Sequence, residues 1–288
     1  KDLLGDGLDF GYFLEKIKPI LEDENIKKIL FDDKMSKYYF DDKNINLKGV
    51  IFDVMLADYL IKSGRRHVKN VKELCEQENY ELDSCASLVF NCYKEYCEKL
   101  KSYEMDYLYN NIEFPLIDVL YEMEKDGFKL DLDMLKQLNN EYNNELISLN
   151  DSIVALAGSD FNINSPKQLA NILFEKLGLP NLKKGSTNIE VLENLQNVHP
   201  IIDLIIRYRK IYKLNSTYIE SYLEKLDKSN HLVHTMFNQT LTQTGRLSST
   251  EPNLQNIPIR EEEGRNLRKI FISRFENGKI ISADSSQI

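Results

Sequence analysis

The strongest constraint on the fold is a pair of long helical segments. One starts at Asp131 or Asp133 and runs through about Ala157; the other runs from Pro200 to about Leu226. Either aspartate can cap the first by accepting a backbone N–H that has no partner inside the helix. Shorter helices with clear start and stop signals lie between them. Asn164-Ser165-Pro166-Lys167 offers Ser as N-cap and Pro at the first helical position, and the helix it opens carries Leu169, Ile172, Leu173 and Leu177. Gly178 and Pro180 end that helix, and Asn188 starts another small one. Two long helices flanking short ones make a mostly helical stalk.

The flanking regions read differently. Ile29-Leu30-Phe31 and Val50-Ile51-Phe52 have the look of short strands, while Phe13 to Leu21, bent at Pro19, and Val54 to Lys62 repeat near 3.6 residues as helices do. That alternation packs naturally as an α/β layer. From about Asn91 to Ile112 the pattern is continuously helical, and Pro115 is expected to open a new helix that Gly127 ends. His231 to Phe237 reads as one strand, Leu241 to Arg260 as a polar segment without helical promise, and Lys279 to Ala283 as a strand ending at Asp284. The whole is expected to be α+β.

At 288 residues the chain can bury more than one core. It contains no apolar run of the roughly 18 to 20 residues that would span a bilayer, so no membrane partner is expected. Lys1 to Phe10 lacks the apolar stretch of a signal peptide, and the start at Lys1 without Met suggests a boundary inside a longer protein. Cys75, Cys85, Cys92 and Cys97 form no C-x-x-C pair and read as free thiols in a reducing cytoplasm. The formal net charge of −9 argues at first against a nucleic-acid partner. The charge is uneven, however: residues 1–180 sum to about −12 and residues 181–280 to about +4.

The basic third holds Thr244-Gly245-Arg246-Leu247-Ser248-Ser249-Thr250-Glu251-Pro252-Asn253-Leu254-Gln255-Asn256-Ile257-Pro258-Ile259-Arg260. This run of guanidinium and amide donors suits the N3 and O2 acceptors of the minor groove, which every Watson–Crick pair presents in similar positions. It closely resembles the TGRLSS(T/S)xPNLQNIP(I/V)R block of the family-A DNA polymerases of the bacterial DNA polymerase I type. The resemblance implies that Arg246, Asn253, Gln255 and Asn256 contact primer-template DNA, and that Arg260 lies near the phosphates of an incoming deoxynucleoside triphosphate. Glu262-Glu263-Gly264-Arg265 to Phe271 resembles the EEGRxxRxxF segment that follows in the family. Ile281-Ser282-Ala283-Asp284-Ser285-Ser286-Gln287-Ile288 resembles its motif A, with Ser285 in place of the family's Tyr. Asp284 is then the expected catalytic and metal-binding carboxylate, serving two Mg²⁺ ions in the complete enzyme, and Gln287 a nucleotide-binding residue.

The stalk is similar to the family's thumb, both at Phe161 to Lys176 and at Tyr208 to Tyr218. Arg209 and Lys213, four residues apart on one helix face, are expected to reach duplex phosphates without sequence preference. Their R-x-x-x-K spacing also fits the fingers motif, but they precede motif A and no aromatic-Gly pair follows. Leu47 to Leu56 resembles the family's LRGxxFDTML segment of the RNase H-like 3′-5′ exonuclease domain. No D-x-E lies near the start, although the strand carrying it could equally precede Lys1; the firmer ground is that after Asp53 no Tyr is followed four residues later by Asp. The resemblance therefore implies a degenerate exonuclease domain over 1–97, a helical connector and palm entry over 98–130, a thumb over 131–230, and the start of an antiparallel palm sheet over 231–288. The expected parent is a bacterial, cytoplasmic, monomeric DNA-directed DNA polymerase of replication and repair. The 288 residues themselves stop before the fingers and the second metal carboxylate and are expected to be inactive. Two alternatives remain open: a non-catalytic duplex-binding fragment, and an active 3′-5′ exonuclease.

Overall fold

The computed structural model describes residues 9–283. The chain packs as two compact units. One comprises the segment up to Asp126 together with Met236–Thr250; the other comprises Gly127–Thr235 and the segment from Glu251 onward. Helices and small sheets occur in both, so the chain is α+β.

The first unit begins with α1 (Phe10–Glu22), which contains Pro19. It continues through β1 (Lys28–Leu30), α2 (Asp33–Asp41), β2 (Val50–Asp53), α3 (Val54–Ile61), α4 (Val71–Glu78) and α5 (Cys85–Ser102). β1 and β2 pair in parallel, as a crossover through a helix requires. Phe52, Leu56, Tyr59, Leu74, Leu88 and Tyr96 build the core around them. Asp53 joins the layers. It ends β2, and its carboxylate accepts the Leu56 N–H of α3 at 2.8 Å and the Asp33 N–H of α2 at 2.7 Å. The four cysteines are unpaired, with Cys75 and Cys92 buried.

Two helical expectations need correction here. The stretch read as continuous from Asn91 to Ile112 starts earlier, at Cys85, and breaks after Ser102, where Glu104 takes a φ of 58°. It resumes as α6 (Asp106–Leu108), and a π-helical turn over Tyr109–Glu113 runs without a gap into α7 (Phe114–Asp126). The helix expected to open at Glu113-Phe114-Pro115 and run to Asp126 is α7, but it continues the π turn instead of starting afresh. The carbonyl four residues before Pro115, that of Asn111, lies in the wide π turn, whose looser coil accommodates a ring that would otherwise crowd it.

The second unit opens with β3 (Phe128–Leu130) and α8 (Leu132–Ala157). Of the two candidate caps, Asp131 is the one used, accepting the Met134 N–H at 3.0 Å. α9 (Pro166–Ala170), capped by Ser165, and α10 (Ile189–Asn194), capped by Asn188, precede α11 (Ile201–Leu214) and α12 (Ser221–Lys225). A π turn over Asn215–Glu220 joins α11 to α12, so the second long helix is unbroken. α8 and α11 pack against each other. At one end Leu135, Leu138 and Tyr142 meet Ile211, Leu214 and Tyr218; at the other, Ile153 and Ala157 meet Ile202 and Ile205, with Leu169 and Leu173 alongside.

The segment His231–Phe237 is two strands rather than one. β4 (Leu232–Val233) pairs with β3, whereas β5 (Met236–Asn238) pairs with β6 (Ser248–Thr250) in the first unit. α13 (Glu262–Arg268) leads to β7 (Phe271–Ile272), which completes an antiparallel sheet of order β4-β3-β7. Lys279–Ala283, expected as a strand, forms none. Ile280 and Ile281 are exposed, and no neighbouring strand among the described residues takes up the backbone hydrogen bonds a strand must make. No described helix is long and apolar enough to cross a membrane.

Candidate nucleic-acid interface

The polar strip 244–260 divides at Thr250, and its two parts are supported separately. In the first unit, the β5–β6 hairpin is anchored by Glu124 of α7, which is 2% exposed. Glu124 accepts the Phe237 N–H at 2.6 Å, the Lys34 ammonium at 2.5 Å and the Tyr38 hydroxyl at 2.7 Å. Lys34 also donates to the Phe237 carbonyl. Gln239 adds a tie by donating to the Glu113 carbonyl at 2.7 Å. Arg246 lies on the connection between β5 and β6, exposed, with its carbonyl accepting the Thr242 hydroxyl at 2.7 Å.

In the second unit, residues 251–260 lie along the α11–α12 helix. The hydroxyls of Tyr218 and Tyr222, four residues apart, donate to the carbonyls of Asn256 and Asn253. Arg268 of α13 donates to the Ile257 carbonyl at 3.1 Å, and Ile257 is buried. A Cβ on Gly264 would lie 2.7 Å from that of Pro258, so α13 sits against the strip at a point where only glycine fits. With the backbone held from behind, Gln255, Asn256 and Arg260 are exposed. Asn253 differs from them. Its side-chain oxygen accepts the N–H groups of Gln255 at 3.0 Å and Asn256 at 3.2 Å, closing a turn.

The basic helix face is likewise unequal. The guanidinium of Arg209 is half-buried and donates to the Thr187 carbonyl at 2.5 Å and the Ile163 carbonyl at 3.4 Å. Burial holds it below the usual arginine range. Lys213, one turn on, is exposed. The structure therefore does not present the two as an equivalent pair: Arg209 ties two loops to α11, and Lys213 alone faces outward. Arg207 and Lys210 on the same helix are neutralised. Arg207 pairs with Glu145 at 2.5 Å and with Glu263, and Lys210 lies 2.9 Å from both Glu261 and Glu263. Burial pushes the Glu263 carboxyl up, but hydrogen bonds from Lys210 and Arg207 outweigh it and bring it down to about 2. This network locks α13 onto α8 and α11.

Sequence reasoning missed Tyr222, Glu263 and Thr187 as supports. The only signal for them was the i, i+4 tyrosine spacing and the density of opposite charges. Asp284 and Gln287 lie outside the described residues. Among the described residues no group of three or more His, Cys, Asp or Glu could hold a metal ion, so the Mg²⁺ expectation rests on Asp284. Asp53 is closed in: burial pushes its carboxyl up to about 8, against the two N–H groups it accepts.

Family models define the class. Residues 11–85 match the DNA polymerase I, ribonuclease H-like domain, and residues 132–288 match DNA polymerase family A. The second match covers more than half of the chain, which belongs to DNA polymerase family A. DNA polymerase I of Bacillus subtilis is 42% identical over 275 residues, covering 85% of this chain and 31% of the relative. DNA polymerase I of Geobacillus stearothermophilus is 41% identical over 275 residues, with the same shares covered. The chain thus spans about a third of the length of these curated relatives. A solved structure of the POL domain of Pol1 from M. smegmatis, in complex with DNA primer-template and dNTP, superposes with a TM-score of 0.80 at 31% identity. It covers 90% of this chain and 47% of that one.

Proposed function

We propose that this chain is the primer-template-gripping part of a DNA-directed DNA polymerase, which adds deoxynucleotides to a primer 3′ end. The observation that carries the reading is a strip held from behind by Tyr218, Tyr222 and Arg268 and left bare in front at Gln255, Asn256 and Arg260. Amide donors fixed in this way can test the shape of a terminal base pair without reading its identity. In this reading the paired helices are the thumb, with Lys213 on a duplex phosphate and Arg209 holding that helix in place. β3, β4 and β7 begin the palm. Asn253 shapes the turn that presents its neighbours to the DNA, and Arg246, on the β5–β6 connection of the first unit, is a primer-template contact as well. Arg260 and Gln287 face the triphosphate of the incoming nucleotide, and Asp284 takes Mg²⁺. The POL domain of M. smegmatis Pol1, whose structure is a complex with DNA primer-template and dNTP, supports the choice of partners.

The RNase H-like domain acts as a scaffold without nuclease chemistry, because Asp53 caps helices from inside the core. The protein works as a monomer in the cytoplasm. Fluorescence anisotropy with a recessed-end duplex and the matching single strand tests the central claim. Salt-sensitive preference for the recessed end, reduced in Gln255→Ala/Asn256→Ala, is expected; equal affinity for both ligands would sink it. Mg²⁺-dependent degradation of single-stranded DNA, abolished in Asp53→Ala, would overturn the scaffold reading.

A further inference from the structure

Residues 1–180 are acidic overall, yet Lys62, Arg65, Arg66 and Lys69 fall within eight consecutive residues that contain no acid. This loop leaves the C-terminal end of α3, with Ser63, Gly64 and Arg66 at φ of 50°, 67° and 53°. A basic residue is favourable at a helix C-terminus, where the backbone carbonyls carry partial negative charge. Lys62 fills that role and pairs with Asp58 at 2.8 Å. Helix capping therefore leaves the other three unexplained. Arg65, Arg66 and Lys69 are exposed. The Glu73 carboxylate accepts the backbone N–H of Lys69 at 2.9 Å, but among the described residues no carboxylate forms an ion pair with any of the three side chains. Unpaired like charges close together repel one another and are stabilised by a polyanion.

The loop is built against the start of the polar strip, inside the same compact unit. Tyr59 donates its hydroxyl to the Thr242 carbonyl at 2.7 Å. A Cβ on Gly64 would lie 3.0 Å from the Gln243 Cα and 3.2 Å from the Thr242 carbonyl oxygen, so the two backbones approach as closely as glycine allows. Between them lies a cleft of about 650 Å³, with Lys62, Ser63 and Arg65 on one wall and Gln243 and Thr244 on the other. Arg246 stands exposed two residues further along that second wall.

We infer that Arg65, Arg66 and Lys69 form, with Arg246, a phosphate-binding face for the sugar-phosphate backbone of duplex DNA. The RNase H-like domain then contributes grip rather than hydrolysis. Guanidinium and ammonium groups meet phosphates and carry no base preference, and of these four residues Arg65 lines the cleft itself. The inference rests on the proposed primer-template function and extends it to a domain that function leaves as a scaffold.

The test compares the 288-residue chain with Arg65→Gln/Arg66→Gln/Lys69→Gln. A control, Lys16→Gln/Lys94→Gln/Lys101→Gln, makes the same change in net charge elsewhere in the same unit. Anisotropy titrations with a recessed-end duplex are run between 50 and 200 mM salt. Each phosphate contact adds about 0.9 to the slope of log K against log salt, so three contacts account for about 40-fold of the affinity change over that range. The loop variant is expected to lose most of that 40-fold dependence while keeping its preference for the recessed end, and the control to keep both. Equal slopes for wild type and loop variant, or equal loss in variant and control, overturn the inference and leave the strip's role intact. Failure of the wild-type chain to prefer recessed duplex overturns the function proposed above, and this inference with it.

Discussion

Replacing Glu124 by Leu tests how the β5–β6 hairpin is held. The carboxylate is 2% exposed and accepts from the Lys34 ammonium at 2.5 Å, the Phe237 N–H at 2.6 Å and the Tyr38 hydroxyl at 2.7 Å. The substitution strands all three. Breaking a buried ion pair from one side costs about 3–5 kcal/mol, because the surviving charge is left uncompensated. Lys34 keeps its bond to the Phe237 carbonyl, which offsets part of the loss, so about 3 kcal/mol is expected. In Lys34→Met/Glu124→Leu no charge remains buried, and the residual cost falls on the neutral Phe237 N–H and Tyr38 hydroxyl that Glu124 served, about 1–2 kcal/mol. The double variant should therefore be more stable than the single one. A chain of two units need not unfold in one step, so the assay is hydrogen exchange of the hairpin amides in rising urea. A single variant within about 0.5 kcal/mol of wild type, or a double variant less stable than the single, would refute the reasoning.

Arg209→Ala should destabilise the second unit by about 1.5–3 kcal/mol in denaturant unfolding, the range for hydrogen bonds from a charged donor. Lys213→Ala should leave stability unchanged and lower the slope of log K against log salt for duplex binding by about 0.9. The Asp53 carboxyl is raised from 3.8 to about 8 by burial, so its contribution is complete below the lower value and is lost as pH rises through the upper one. Asp53→Asn, neutral throughout, should show a stability deficit that shrinks between those two pH values; a constant deficit in pH-resolved urea melts would contradict this. Glu263 runs the other way. With its pKa lowered from 4.5 to about 2, the advantage of wild type over Glu263→Gln should be full above pH 4.5 and fade as pH falls through 2. Tyr218→Phe frees the Asn256 carbonyl and should cost about 0.5–1.5 kcal/mol of stability, read by thermal melting, with weaker duplex binding alongside.

The amino-acid sequence by itself determined the features that depend on neighbours within one helical turn. Asp131, Ser165 and Asn188 cap the helices they precede, and the two long segments are helical over nearly the expected spans. Each of these requires only a side-chain oxygen within reach of an N–H two or three residues ahead, and a 3.6-residue repeat behind it. The polar strip was equally legible, since its composition excludes a helix and its residue order matches the family. The tertiary structure decided what distant segments bring together. Thr187 and Ile163 lie 22 and 46 residues from Arg209, yet their carbonyls turn its guanidinium inward. The 231–237 run divides because β3 pairs with its first half and β6 with its second. Lys279–Ala283 lacks a strand because extended backbone becomes one only beside a partner. Hydrogen-bond donors are written in the residue type; which acceptor each one meets is settled by packing.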